Sequence, residues 1–138
     1  MSAFEVSCLC GACALRIDGE PISQFYCHCD DCQAVQGAAY IGVALYPSSA
    51  VAVTRGTPVA WTYKTMPRYR CADCGTHLFG RFEEMGLTGI KGNLLPRGVF
   101  RPAFHIQCQY AVLPVVDSLP HYKGFPAVFG GADDLVGW

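Results

Sequence analysis

Cys71-Ala72-Asp73-Cys74-Gly75 is the stretch on which the reading of the fold turns. Two thiols at C-x-x-C spacing lie within reach of one soft cation, and the glycine behind them lets the chain turn back so that backbone N–H groups face sulfur. About 60 positions upstream, Cys8-Leu9-Cys10-Gly11 repeats the pattern at C-x-C spacing and again ends in Cys-Gly. Two such knuckles make one four-cysteine site. Loop-closure entropy grows only logarithmically with length, so the binding energy of a zinc ion readily offsets the cost of joining segments this far apart. Cys8, Cys10, Cys71 and Cys74 are therefore expected to hold a structural zinc.

Nine cysteines stand in the 138 residues, and beyond these four they include Cys13, Cys27, Cys29, Cys32 and Cys108. An odd number in tight groups argues against a disulfide framework, whose partners are usually spread along the chain. Met-Ser-Ala-Phe-Glu-Val-Ser at the start lacks the basic segment and apolar stretch of a secretory signal, so a reducing cytoplasm is the expected address. No run of roughly 18 apolar residues predicts a membrane span. Ten basic against eleven acidic residues give a net charge of −1, without the Lys/Arg clustering that nucleic acid would require. The length suits a single zinc-binding domain over residues 1–138, small enough for a structural metal to add useful stability.

Short alternating runs dominate the rest. Over 12–18, Cys13, Leu15 and Ile17 share one face while Arg16 and Asp18 take the other. Similar runs, rich in β-branched and aromatic residues, predict strands over 22–26, 39–46, 51–55, 59–64, 77–82 and 103–109. One brief helical signal runs through 32–36, with Asp30 or Asp31 as its cap and Gly37 as its stop. The expected fold class is mainly β, with minor short helices.

Cys27-His28-Cys29-Asp30-Asp31-Cys32 supplies three further thiols with no fourth cysteine close in sequence. Three protein ligands and an open position describe a catalytic zinc; closure of the tetrahedron by His28, Cys13 or Cys108 would make it structural instead. His28 sits between two ligands and, in an extended segment, points away from a metal gripped by both neighbours. Cys13 reads as a small buried hydrophobe and Cys108 as spare. Three thiolates leave Zn²⁺ with a net charge of −1, which blunts its power to acidify water and favours an incoming substrate thiol as fourth ligand.

In these three cysteine motifs, taken in order, the chain resembles the glutathione-dependent formaldehyde-activating enzyme family, which includes centromere protein V-like domains. The similarity extends through Gly37, Gly56, the stretch Cys74-Gly75-Thr76-His77-Leu78-Phe79-Gly80-Arg81, Phe104-His105-Ile106 and Leu119-Pro120-His121-Tyr122, covering about residues 4–126 and leaving 127–138 as a C-terminal tail. The resemblance implies a β-tent of several small antiparallel sheets pinned by the structural zinc. It also implies a second, catalytic zinc on Cys27, Cys29 and Cys32, and addition of glutathione to formaldehyde, a carbon–sulfur lyase reaction in its reverse sense. Two zinc ions per chain, a small thiol such as glutathione and an aldehyde are thus the expected cofactors and partners, with no nucleic acid and no membrane. The alternative is a zinc-stabilised protein-interaction module without catalysis. One departure from the family pattern is Gly92-Asn93-Leu94-Leu95-Pro96, where an acidic residue usually precedes the proline.

Arg68, Arg70, Arg81 and Lys91 carry charges that suit glutathione carboxylates, but the ordinary expectation for each is a solvated surface charge. His77 is expected either to contact a substrate or the metal's outer shell or to be a satisfied structural histidine, and His105 to lie in the core or across strands; His121 is assigned no role. Phe25, Tyr26, Trp61 and Tyr63 are expected to fill the core.

Overall fold

The computed structural model describes residues 3–138. In chain order its elements are β1 (Ala3–Ser7), β2 (Ala14–Asp18), β3 (Ser23–Cys27), α1 (Asp30–Gln36), β4 (Ile41–Pro47), β5 (Val51–Arg55), β6 (Val59–Tyr63), β7 (Met66–Arg70), β8 (His77–Phe82), β9 (Leu87–Lys91) and β10 (Phe104–Ile106), with short 3-10 turns between them. The protein is mainly β, as expected. The chain gathers into two compact units, Met1–Ser23 with Ala44–Phe100 and Gln24–Val43 with Arg101–Trp138. None of the described helices is long and apolar enough to cross a membrane.

In the first unit β1, β2 and β5 form an antiparallel sheet in the order β1-β2-β5, with Val6 opposite Leu15 and Phe4 opposite Ile17. Period-two alternation fixes this register, because a slip of one residue would turn Leu15 and Ile17 to solvent. Both are fully buried, while Arg16 and Asp18 pair with each other at 3.2 Å on the exposed face. Strands β6, β7, β8 and β9 follow as an antiparallel meander, and β4 is the next neighbour of β9 in the strand order. Leu15, Ile17, Ala44, Tyr46, Leu78, Phe79 and Ile90 make one hydrophobic cluster, and Cys8, Cys13 and Cys71 belong to it. Burying each large side chain contributes about 1.5–3 kcal/mol, and this cluster anchors the segments that carry Cys8 and Cys71.

Three strands have no counterpart among the expected runs. In β1 the alternation covers only Phe4 and Val6, β7 is interrupted by Pro67, and β9 carries Gly89 and ends on Lys91. Each owes its conformation to ladder pairing with neighbours, which local propensity does not report. Trp61 is 39 % exposed, contrary to the expectation that it fills the core; β6 is the end strand of its meander, and the indole packs on the surface against Tyr63 and the Arg70 guanidinium. Arg68 and Lys91 correct the opposite expectation, for both are buried. Leu95, where the resemblance implies an acidic residue, is a buried member of the core cluster.

In the second unit β10 runs parallel to β3, pairing Phe104 with Phe25, His105 with Tyr26 and Ile106 with Cys27. The strand expected over 103–109 ends early because Gln107 takes a left-handed backbone (φ 57) and Cys108–Tyr110 forms a 3-10 turn. Phe25, Phe104, Phe129 and Tyr122 pack ring against ring at 5.5–5.7 Å, a cluster that carries β3 and the Cys27 at its end.

Candidate metal centres

The first unit brings Cys8, Cys10, Cys71 and Cys74 together, with all four sulfurs within 4.8 Å of one another. Each knuckle is built by the backbone. Gly11 N–H donates to Cys8 O and Gly75 N–H to Cys71 O, at 3.1 and 3.0 Å, and both glycines sit at φ near +80, which a side chain would resist. Cys8 and Cys71 close their loops by donating from N to Cys13 O and Thr76 O. Cys8 Sγ lies 3.7 Å from Cys10 Sγ, and Cys10 Sγ lies 3.8 Å from Cys71 Sγ. A tetrahedron of zinc–sulfur bonds of about 2.3 Å has edges of about 3.8 Å, so the measured separations fit a zinc.

The protons in this cluster distribute unevenly. The Thr76 hydroxyl, 3.0 Å away, and nearby backbone N–H groups hold Cys74 down at about 5, and a hydrogen bond from Cys13 N–H lowers Cys8. Cys10 is pushed up to about 12: a hydrogen bond from Ala12 N–H opposes the rise, but burial and the neighbouring thiols outweigh it. Sulfurs this close compete for one negative charge unless a cation lies between them, so the cluster has the chemistry of a metal-binding set. Cys13 is raised to about 11 by burial and then by Cys71, and remains a protonated thiol in the core. Cys13→Ala is accordingly expected to cost about 1–2 kcal/mol in urea unfolding while leaving the metal content unchanged.

The second unit brings Cys27, Cys29 and Cys32 together, also within 4.8 Å, and no fourth cysteine joins them among the described residues. Cys27 ends β3, Cys29 caps α1 and Cys32 lies on its first turn. Neither aspartate is the cap. Cys29 Sγ accepts from Cys32 N–H at 3.3 Å, while Asp30 and Asp31 occupy the first turn, where carboxylates favour the helix dipole. Cys27 and Cys32 are buried and Cys29 is half-buried, the most accessible of the three. Hydrogen bonding with Cys29 and Cys32, reinforced by burial, holds the Cys27 thiol well above its usual range. Cys29 Sγ and Cys32 Sγ stand 2.8 Å apart, about 1 Å inside a zinc-thiolate edge, so a zinc held here would spread that pair.

Gln33, which sequence reasoning passed over, braces this site. Its side-chain amide donates to His28 O at 2.9 Å and to Tyr110 O at 2.8 Å, tying α1 to the cysteine segment and to the 3-10 turn after β10. A lone Gln one position after the last cysteine carries no signal until the fold supplies its acceptors. His28 turns away from the sulfurs, as expected, and its Nε2 meets His105 Nδ1 at 2.9 Å. Burial first, then His105 and His121, lower its pKa to about 4. In metal-free protein the His28 ring is therefore expected to stay neutral down to about pH 4, checked by ring-nitrogen NMR; protonation near pH 6.5 would contradict it. Because the depressed value favours the neutral ring, stability from this group is complete above about pH 6.5 and falls as the pH drops towards 4.

Of the cations named from sequence, Arg68 Nη1 donates to Tyr63 O at 3.5 Å, Arg81 lies over the Tyr69 and Phe79 rings, and Arg70 over Trp61. His77 is lowered by burial and then by Lys91, Arg70 and Arg68.

The sequence profile of the family described as glutathione-dependent formaldehyde-activating enzyme matches residues 3–110. Relatives provisionally named glutathione-dependent formaldehyde-activating enzymes include a Penicillium rubens protein, 39 % identical over 61 residues, covering 42 % of this chain and 32 % of its own length. Another, from Emericella nidulans, is 30 % identical over 79 residues, covering 55 % and 40 % respectively. The chain thus spans less than half the length of these two relatives. A crystal structure of a Rhodobacter sphaeroides protein shares the fold with a TM-score of 0.57 at 19 % identity, covering 70 % of this chain and 90 % of that one.

Proposed function

Because this chain belongs to the glutathione-dependent formaldehyde-activating enzyme family, we propose that it is a zinc-dependent carbon–sulfur lyase, forming or cleaving the adduct of a small thiol, glutathione by preference, with formaldehyde or a related aldehyde. The observation that carries this reading is the asymmetry of the two cysteine clusters, four converging sulfurs in one and three in the other. Cys8, Cys10, Cys71 and Cys74 would hold a structural zinc. Cys27, Cys29 and Cys32 would hold a second one with a coordination position left for substrate. Bound there, zinc would supply the positive charge that lets an incoming thiol give up its proton at neutral pH.

The protein's own residues set the conditions. Cys27 and Cys32 are buried, and half-buried Cys29 is the most accessible of the three sulfurs, so an incoming thiol would approach beside it. Gln33 and the Cys29 cap hold the three sulfurs on a braced turn, which reduces the entropy lost when they converge on a metal. The chemistry balances without a redox partner. The thiol sulfur bonds the aldehyde carbon, the carbonyl π pair moves to oxygen, and the proton lost by sulfur ends on that oxygen as hydroxyl.

The test mixes purified protein with glutathione and ¹³C-formaldehyde and follows exchange between free and adduct carbon by NMR. Exchange well above the uncatalysed rate is expected; background rates at substantial protein concentration would sink the lyase reading. That outcome would favour a zinc-stabilised interaction module, for which the exposed apolar residues Val112, Leu113 and Val116 are the supporting feature.

A further inference from the structure

His105, Asp117 and His121 converge in the second unit without being used by either cysteine cluster. His105 Nε2 lies 2.7 Å from Asp117 Oδ2 and His121 Nε2 lies 2.9 Å from Asp117 Oδ1, with the three donor atoms all within 4.8 Å. Both histidines are nine-tenths or more buried, at 0 % and 5 % exposure, while the Asp117 side chain is 30 % exposed. From these residues we propose a further divalent-metal site, a two-histidine, one-carboxylate face for a first-row transition ion whose remaining positions are filled by water.

Backbone pairing places the ligands before any ion arrives. His105 N–H donates to Pro120 O and Tyr122 N–H donates to His105 O, each at 2.9 Å, so β10 and the segment bearing His121 are bridged directly. Asp117 Oδ1 accepts from Leu119 N–H at 3.0 Å, which orients the carboxylate. His105 Nδ1 faces His28 Nε2 at 2.9 Å, the type of outer contact that fixes a ligand histidine's tautomer and directs its other nitrogen at a metal. Rigid ligands lower the entropy cost of capturing an ion.

A purely hydrogen-bonded triad accounts for the cluster less well. The His105–Asp117 bond is well formed, but the His121 Nε2 contact is short without being aligned for a hydrogen bond, and that buried nitrogen has no other partner among the described residues. A buried imidazole nitrogen left unsatisfied is destabilising. An ion taking its lone pair removes the deficit. Octahedral ligands at about 2.1 Å have neighbouring donors about 3.0 Å apart; His105 Nε2 and His121 Nε2 stand 2.7 and 2.9 Å from different oxygens of Asp117, a spacing that suits a carboxylate offering both oxygens to the ion. Two nitrogens and one carboxylate suit Fe²⁺, Co²⁺, Ni²⁺ or Zn²⁺ better than the oxygen-seeking Mg²⁺ or Ca²⁺.

Cobalt is the probe. Protein whose cysteine sites are already filled with zinc is titrated with Co²⁺, and one further equivalent is expected, with the weak visible bands of nitrogen and oxygen ligation and no strong thiolate-to-metal band. Paramagnetic broadening should strike the His105 and His121 ring signals. Asp117→Asn and His121→Ala should each weaken this binding at least ~100-fold while retaining cysteine-bound zinc, which also reports that they fold. No cobalt uptake by the wild-type protein beyond displacement of zinc, or uptake that leaves both rings unbroadened, would overturn the site. Either result leaves the lyase assay unaffected, so the two readings fail separately.

Discussion

Cys71→Ala should abolish cooperative folding of the first unit. Cys71 is 2 % exposed, sits within the hydrophobic cluster, and faces Cys10 across 61 positions of chain at 3.8 Å. A structural zinc in a thiolate site is worth about 10–16 kcal/mol at neutral pH, against a whole-domain stability of about 5–15 kcal/mol. On the proposed structural zinc, removing one of its four sulfurs puts most of the stability at risk, and the emptied cluster would leave three mutually repelling sulfurs. Near-ultraviolet circular dichroism and thermal melting of the variant should match those of the wild-type protein stripped by a strong chelator. A variant melting within a few degrees of the metal-loaded wild type would show that the cluster is not what holds the fold.

Cys29→Ala should do the reverse, keeping the fold and losing the chemistry. One metal equivalent should disappear, and carbon exchange between formaldehyde and its glutathione adduct should fall at least ~100-fold towards the uncatalysed rate, since several kcal/mol of charge stabilisation go with the metal. The same sulfur caps α1, and losing a cap costs about 0.5–2 kcal/mol. Cys29→Ser separates the two roles, because an oxygen can still accept from Cys32 N–H but makes a poor substitute for a soft thiolate. Serine is expected to restore stability without restoring activity. Full activity in either variant would place the reaction elsewhere; global unfolding of both would make Cys29 a structural ligand.

The candidate ligand sets differ in how much of them could be read in advance. Cys-x-Cys and Cys-x-x-Cys spacing brings sulfurs together through local geometry alone, and Cys-Gly supplies the turn, so both clusters were legible as candidate ligand sets wherever the strands ran. The strand at Ala14–Asp18 was equally plain, because Leu15 and Ile17 alternate with charged residues. β7 and β9 were hidden by Pro67 and Gly89, whose strand conformation comes from hydrogen-bonded neighbours distant in sequence.

His105, Asp117 and His121 mark the other limit. Separated by 12 and 4 positions, with no repeated spacing, they carry no joint signal: His105 reads as a core or cross-strand histidine, His121 has no role, and nothing marks Asp117 out. Parallel pairing of β10 with β3 and the bridge from His105 to His121 bring the three donors to one point. Burial of Arg68 and Lys91 and the bracing by Gln33 belong to the same class. Cysteine spacing acts over a few bonds and survives as a pattern in the chain, whereas these arrangements exist only once long-range backbone pairing has set which side chains meet.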